Sequence, residues 1–193
     1  LVKMSKIKEH NSFFGDSKFD LILTNPPFGG KVEKKEKAYI KNFTLGKTKN
    51  GKVRDSQKTE ILFIERCYEF LKEGTGILAL IIPDGILTNK NLSYVREFIL
   101  EKFEISGIFS LPQVTFKHYG AGLKSSILIM RKRSNDEKIK DNKVFCAIIN
   151  KVGYDGTGRK DESELDSVIK KFEKFKNGSN FYEDNIFVKK INE

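Results

Sequence analysis

Phe19-Asp20-Leu21-Ile22-Leu23-Thr24-Asn25-Pro26-Pro27-Phe28 is a compact, mostly apolar run broken by two prolines. A short run of this kind predicts a strand buried on both faces of a sheet, because helices need longer stretches and half-exposed strands alternate. Two prolines directly after it end the strand, since neither can donate to a ladder. The residues downstream keep strands and helices in alternation. Ser56 to Lys72 reads as a helix, with Ile61, Ile64, Tyr68 and Leu71 on one stripe and Phe63, Cys67 and Phe70 widening it. Gly74 is placed to stop it. Gly76 to Pro83 is a second strand buried on both faces. Asn91 is expected to cap a helix over Leu92 to Lys102. Further strands are expected over Glu104 to Leu111, Ser125 to Met130 and Val144 to Asn150. An amphipathic helix over Glu162 to Lys176 carries Leu165, Val168, Ile169, Phe172 and Phe175, and Phe181 to Ile191 is weakly extended. Lys6 to Asn11 is a short candidate strand. The alternation predicts an α/β fold with a mostly parallel sheet. Only the link from Leu111 to Ser125 lacks a helical period, so those two strands are expected to pair antiparallel.

The composition sets limits. The chain has 193 residues, enough for one domain with a core. Its longest apolar run, Ile77 to Ile82, is closed by Pro83, far below the roughly 20 residues of a membrane span. The first residues, Leu-Val-Lys-Met-Ser-Lys, hold no signal-peptide core. A cytoplasmic protein with no membrane partner is expected. The chain does not open on Met and reads as a piece of a longer protein. Cys67 and Cys146 stand far apart, outside any Cys-x-x-Cys pattern, and His10 and His118 lack partners at ligand spacing. Reduced core cysteines and no metal site are expected.

Charge is concentrated. Gly29 to Lys58 holds ten Lys/Arg against three acids, a net +7 of the chain's +10. This segment is polar, lacks periodicity and reads as a long, poorly ordered loop. A local basic excess points to a polyanionic partner. Lys31, Lys34, Lys35 and Lys37, nearest the Pro-Pro turn, are the candidate phosphate contacts.

The chemistry lies in the turn. In open α/β sheets, ligands gather beyond the carboxyl ends of the strands. Asn25 offers a side-chain oxygen and Pro26 a carbonyl, two acceptors on a rigid turn. Phe28 adds a flat apolar face. Such a set suits a planar substrate with an amino group. Two acceptors that hold both N–H bonds favour a tetrahedral nitrogen with a localised lone pair, and fixed dipoles stabilise the charge that develops there. A base must first leave its duplex to stack on Phe28.

The run Phe19 to Gly29 resembles the catalytic motif of S-adenosylmethionine-dependent methyltransferases that act on the adenine amino group in DNA. Thr59-Glu60-Ile61-Leu62-Phe63-Ile64, Leu71-Lys72-Glu73-Gly74-Thr75-Gly76, Ile82-Pro83-Asp84-Gly85-Ile86-Leu87, Leu111-Pro112-Gln113, Thr115-Phe116 and Lys124-Ser125-Ser126-Ile127-Leu128 follow in the order seen in modification subunits of type I restriction-modification systems. The resemblance covers roughly residues 6 to 155. It implies an α/β, partial Rossmann-like methyltransferase domain, mostly parallel with an antiparallel terminal strand. It also implies a site-specific, adenine-specific DNA methyltransferase. Asn25, Pro26, Pro27 and Phe28 become the catalytic set, with Asn25 and Pro26 holding the amine and Phe28 stacking on the base. Asn11, Ser12, Phe13 and Asn25 become cofactor contacts, Asn11 standing where the family carries Asp. Asp84 and Gly85 fall on the same sheet edge and could shape the pocket.

The family's Gly-rich cofactor loop lies upstream of the motif strand, and residues 1 to 18 hold only Gly15. Residues 1–155 are therefore expected to be the second half of a methyltransferase domain, and 156–193 a helical and extended segment leading to a following module. The chain alone is expected to be inactive and to bind S-adenosylmethionine weakly. DNA, a specificity subunit and a restriction subunit are the implied partners. Two other readings fit the same residues: a methyltransferase of RNA bases or of a protein glutamine, and a non-catalytic basic fragment that grips nucleic acid.

Overall fold

The computed structural model describes residues 18–119 and 122–191. The elements run β1 (Leu21–Thr24), β2 (Lys31–Val32), α1 (Lys37–Ile40), β3 (Gln57–Lys58), α2 (Thr59–Phe70), β4 (Ile77–Pro83), α3 (Gly85–Thr88), α4 (Ser93–Lys102) and β5 (Phe103–Ser110). They continue with β6 (Ser125–Lys132), β7 (Lys143–Ile148), β8 (Val152–Tyr154), β9 (Lys160–Ser163), α5 (Leu165–Lys176), β10 (Tyr182–Glu183) and β11 (Ile186–Lys190). The candidate strand Lys6 to Asn11 lies outside the described residues.

Seven strands form one sheet in the order β1-β4-β6-β5-β7-β11-β10. β1 and β4 pair parallel, as do β5 and β7, whereas β6 runs against both β4 and β5. β11 runs against β7, and β10 against β11. Five strands thus share one direction. The reversed strand β6 sits inside the sheet, between β4 and β5, as the helix-free link before it allows.

One face is covered by α2 and α4. Ile61, Ile64, Cys67 and Leu71 meet Val95, Phe98 and Ile99 over Leu78, Leu80 and Ile82 of β4 and Leu128 and Met130 of β6. Burial raises the Cys67 thiol to a pKa of about 11, and both cysteines are free. On the opposite face α5 packs Val168 and Phe172 against Phe109 and Phe145. β11 joins this sheet directly, and the 155/156 division falls inside the β8–β9 hairpin.

Three expectations need correction. β1 is not buried on both faces: Leu21 and Leu23 are 53% and 70% exposed, because β1 is the sheet's edge among the described residues and α5 covers only the β7 side. Asn91 does not cap the helix Ser93–Lys102; Asn89, two residues earlier, caps the turn that leads into it. The Asn89 side chain accepts from the Asn91 amide and opens a 3-10 turn that runs into α4.

The third correction concerns Gly29 to Lys58, which is a folded insert rather than a loose loop. Its neck is the β2–β3 pair, Lys31 opposite Lys58 and Val32 opposite Gln57. Ile40, Phe43 and Leu45 in the insert are 3% exposed or less, and Leu45 joins the core packed beneath α2 and α4. The anchor is a carboxylate on α2. Thr44 and Leu45 donate their amides to the two oxygens of Glu65 at 2.6 and 2.8 Å. Gln57 donates to the Leu45 carbonyl and to the Tyr94 hydroxyl at 2.5 and 3.0 Å. The Arg66 guanidinium lies 4.7 Å from the Phe43 ring, and that of Arg54 lies 4.1 Å from the Tyr94 ring. Buried polar groups demand partners, and here the insert's backbone supplies them.

Candidate active site

β1 and β4 are parallel, so the residues after each emerge at one edge of the sheet. Asn25 to Gly30 leaves β1 there. Asp84 leaves β4 beside it, and the start of β6 returns to the same edge with Pro83 opposite Ser125. Asn25 is exposed, Pro26 buried, Pro27 exposed and Phe28 half-buried. Among the described residues the Asn25 side chain makes no hydrogen bond. Its amide stands open to a ligand, and the next residue, Pro26, is locked in φ and buried.

Around this turn the polar groups are tied down. Ser126 donates to Asp84 Oδ1 at 2.7 Å, and the Lys124 ammonium lies 3.9 Å from Oδ2. The Asp84 carbonyl also accepts from Leu87 and Thr88, so this residue both closes the α3 turn and presents a held carboxylate. Gly85 opens α3 with open space around it. Phe116 lies on the 3-10 turn Gln113–Tyr119 that follows β5.

Of the candidate phosphate contacts, Lys31 on β2 and Lys35 on the 3-10 turn Lys34–Glu36 are exposed. Lys34 shares that turn and Lys37 opens α1. All four therefore sit on the insert just past the motif. Asn11, Ser12 and Phe13 lie outside the described residues. Among the described residues no group of three His, Cys, Asp or Glu could hold a metal ion.

Thr59 and Glu60 carry no chemical signal of their own in the sequence beyond the family resemblance, and the structure gives both a place at the site. Thr59 donates its amide to the Gly30 carbonyl at 3.0 Å, and its hydroxyl is 3.3 Å from the Pro27 carbonyl. Glu60, 2% exposed, has the Lys58 ammonium at 3.9 Å. A threonine that opens a helix ordinarily reads as a cap; here Lys58 is the cap residue and makes no side-chain cap bond.

The strand order and the motif at the carboxyl edge define an α/β domain built like S-adenosylmethionine-dependent methyltransferases. A class I methyltransferase fold from Listeria monocytogenes superposes with a TM-score of 0.59 over 81% of the chain, at 24% identity and over 42% of that structure. The chain belongs to the N-6 DNA methylase family, whose pattern spans residues 3–193. It is 30% identical over 118 residues to the EcoEI type I restriction enzyme methylase subunit of Escherichia coli, covering 61% of this chain and 22% of that protein. A structure described as a type I modification subunit from Vibrio vulnificus matches with a TM-score of 0.69 and 24% identity, over 92% of this chain and 34% of that one. The type I methyltransferase subunit of Streptococcus thermophilus gives 0.64 at 19% identity, over 90% and 34%. The chain thus spans about a fifth to a third of the length of these type I relatives.

Proposed function

We propose that this chain carries the amine-binding half of a DNA methyltransferase that modifies the exocyclic amino group of adenine within a type I restriction-modification assembly. The observation that carries the reading is the Asn25 amide, exposed and without a hydrogen bond among the described residues, on a proline-locked turn at the carboxyl edge of the sheet. In this reading Asn25 Oδ1 and the Pro26 carbonyl accept the two N–H bonds of the amine, which localises its lone pair. The Phe28 ring stacks on the extruded base. S-adenosylmethionine, when bound, supplies an electrophilic methyl group. Of the cofactor contacts expected, Asn25 is the one within the described residues, and its free amide fits a polar contact of that kind. The fixed dipoles of the turn stabilise the charge that builds on nitrogen, and water takes the proton released.

The basic insert supports nucleic acid over a protein glutamine as substrate. Lys31, Lys34, Lys35 and Lys37 bind phosphates, a specificity subunit reads sequence, and a restriction subunit completes a cytoplasmic system. Residues 156–193 lead towards a further module of that assembly. The test is methyl transfer from labelled S-adenosylmethionine by the complete protein carrying this chain, on duplex DNA, RNA and a glutamine peptide. Transfer to DNA adenine that Asn25→Ala lowers by about 100-fold or more, the scale of one lost transition-state acceptor, is expected. Transfer to RNA or peptide alone, or unchanged rates in Asn25→Ala, would overturn the reading.

A further inference from the structure

We propose that Thr59 is the positioning residue that fixes the amine-binding turn; this rests on the reading of Asn25 and Pro26 above. The turn Asn25–Gly30 cannot brace itself. Pro26 and Pro27 have no N–H, and no amide of Asn25, Phe28, Gly29 or Gly30 donates to the described backbone. Every hydrogen bond that the described residues make to the turn comes from Thr59. Its amide donates to the Gly30 carbonyl at 3.0 Å. Its hydroxyl reaches the Pro27 carbonyl at 3.3 Å and the Gly30 carbonyl at 3.2 Å. One hydroxyl proton serves both oxygens, with the Glu60 carboxylate 3.5 Å away as the competing acceptor.

The proline rings fix φ at residues 26 and 27, so carbonyl direction within the turn is left to ψ. A donor on the Pro27 carbonyl restrains ψ at Pro27, and with φ of Pro27 fixed by its ring this carries the Pro26 carbonyl in a set direction. It also engages the Pro27 oxygen, leaving Asn25 Oδ1 and the Pro26 carbonyl for the amine. The close approach is built in at Gly30, where a Cβ would lie 2.8 Å from Thr59 Oγ1. Misplacing reacting groups by about 1 Å can cost about 100-fold in rate, so a single clamp on this turn matters to turnover more than to stability.

The experiment compares Thr59→Val, which keeps shape and amide but loses the hydroxyl, with Thr59→Ser, which keeps it. In NMR spectra of the 193-residue chain, Thr59→Val should shift and broaden the Phe28, Gly29 and Gly30 amides and the Pro27 carbonyl, while Thr59→Ser overlays the wild type. Gly30→Ala, which displaces the hydroxyl, should reproduce the Thr59→Val spectrum. In methyl transfer by the complete protein, Thr59→Val should lower kcat about tenfold, the scale of one hydrogen bond, with KM for DNA unchanged, and Thr59→Ser should restore it. A wild-type spectrum in Thr59→Val, or an effect confined to KM, would overturn the clamp. If the wild type transfers no methyl group to DNA, the functional reading falls, and the spectra still decide the clamp.

Discussion

Glu65→Ala should release the insert from the body of the protein. Glu65 is 5% exposed, and its two oxygens take the Thr44 and Leu45 amides at 2.6 and 2.8 Å. Truncation leaves the Leu45 amide buried without a partner and takes the charged acceptor away from the exposed Thr44. Hydrogen bonds to a charged group contribute about 1.5–3 kcal/mol each. Some water will enter the vacated space, so a net loss of about 3 kcal/mol is expected. For a domain of this size each kcal/mol moves Tm by about 2–4 °C, giving a fall of about 10 °C. Glu65→Gln keeps one acceptor and turns a donor towards the second amide, and should cost about half as much. Thermal unfolding followed by circular dichroism gives the first readout. Brief trypsin digestion gives the second: Lys47, Lys49 and Lys52 lie on the insert's outer turn and should become early cleavage sites in Glu65→Ala alone. An unchanged Tm with these sites still protected would refute the anchoring role and return the insert to a loop that merely rests on α2.

Two further outcomes are expected. Replacing Lys31, Lys34, Lys35 and Lys37 together by Gln should reduce the log–log salt slope of DNA binding by about 0.9 for each phosphate that is no longer neutralised, and weaken cognate and non-cognate DNA alike; a changed site preference at constant slope would make the insert a reader of bases. Hydrogen bonding from Arg131 holds the Glu137 carboxyl down at about 2, against an ordinary 4.5. A depressed carboxyl contributes stability that is complete above the unfolded value and is lost as pH falls from about 4.5 towards 2, so Glu137→Gln should flatten the fall of Tm across that window, and an equally steep fall in the variant would remove the pair from the acid response.

The fold was legible where local pattern and tertiary need coincide. Leu78, Leu80 and Ile82 are fully buried on one face of the run Ile77 to Ile82, although Ile77, Ala79 and Ile81 on the other are only partly covered or exposed, and the missing helical period before Ser125 announced the reversed strand. The motif turn was legible because two prolines can only end a strand. What stayed hidden were partnerships across sequence distance. Glu65 and Gln57 look like solvent-facing polar residues, and become buried only because a segment about 20 residues upstream of Glu65 folds onto α2. Lys132 looks like an exposed strand end, yet its ammonium donates to the Tyr68 and Leu71 carbonyls at 2.8 and 3.1 Å and closes the end of α2. Lys and Glu carry no periodic signal that distinguishes a partner from water. β1 erred in the other direction, since an apolar run specifies what can be buried and not how much cover is present.

The insert and the amine-binding turn are referenced to one rigid body. Thr59 holds the turn and Glu65 holds the insert, six residues apart on the same helix. Six residues turn the helix through about 600°, or 240° after a full revolution, so the two grips point in different directions, and the stripe of Ile61, Ile64 and Cys67 fastens the helix to the sheet. The neck β2–β3 joins the insert to the turn at the same end of α2. In the proposed complex, a phosphate held by the insert's lysines would be placed relative to Asn25 through these three short, directional linkages. Under the proposed function, in which an extruded base meets the acceptors Asn25 and Pro26, this would let DNA-backbone contacts outside the site set the register of the amine within it. It follows that loosening Glu65 should impair the positioning of DNA while leaving the Thr59 contact to the turn intact, and loosening Thr59 should do the reverse.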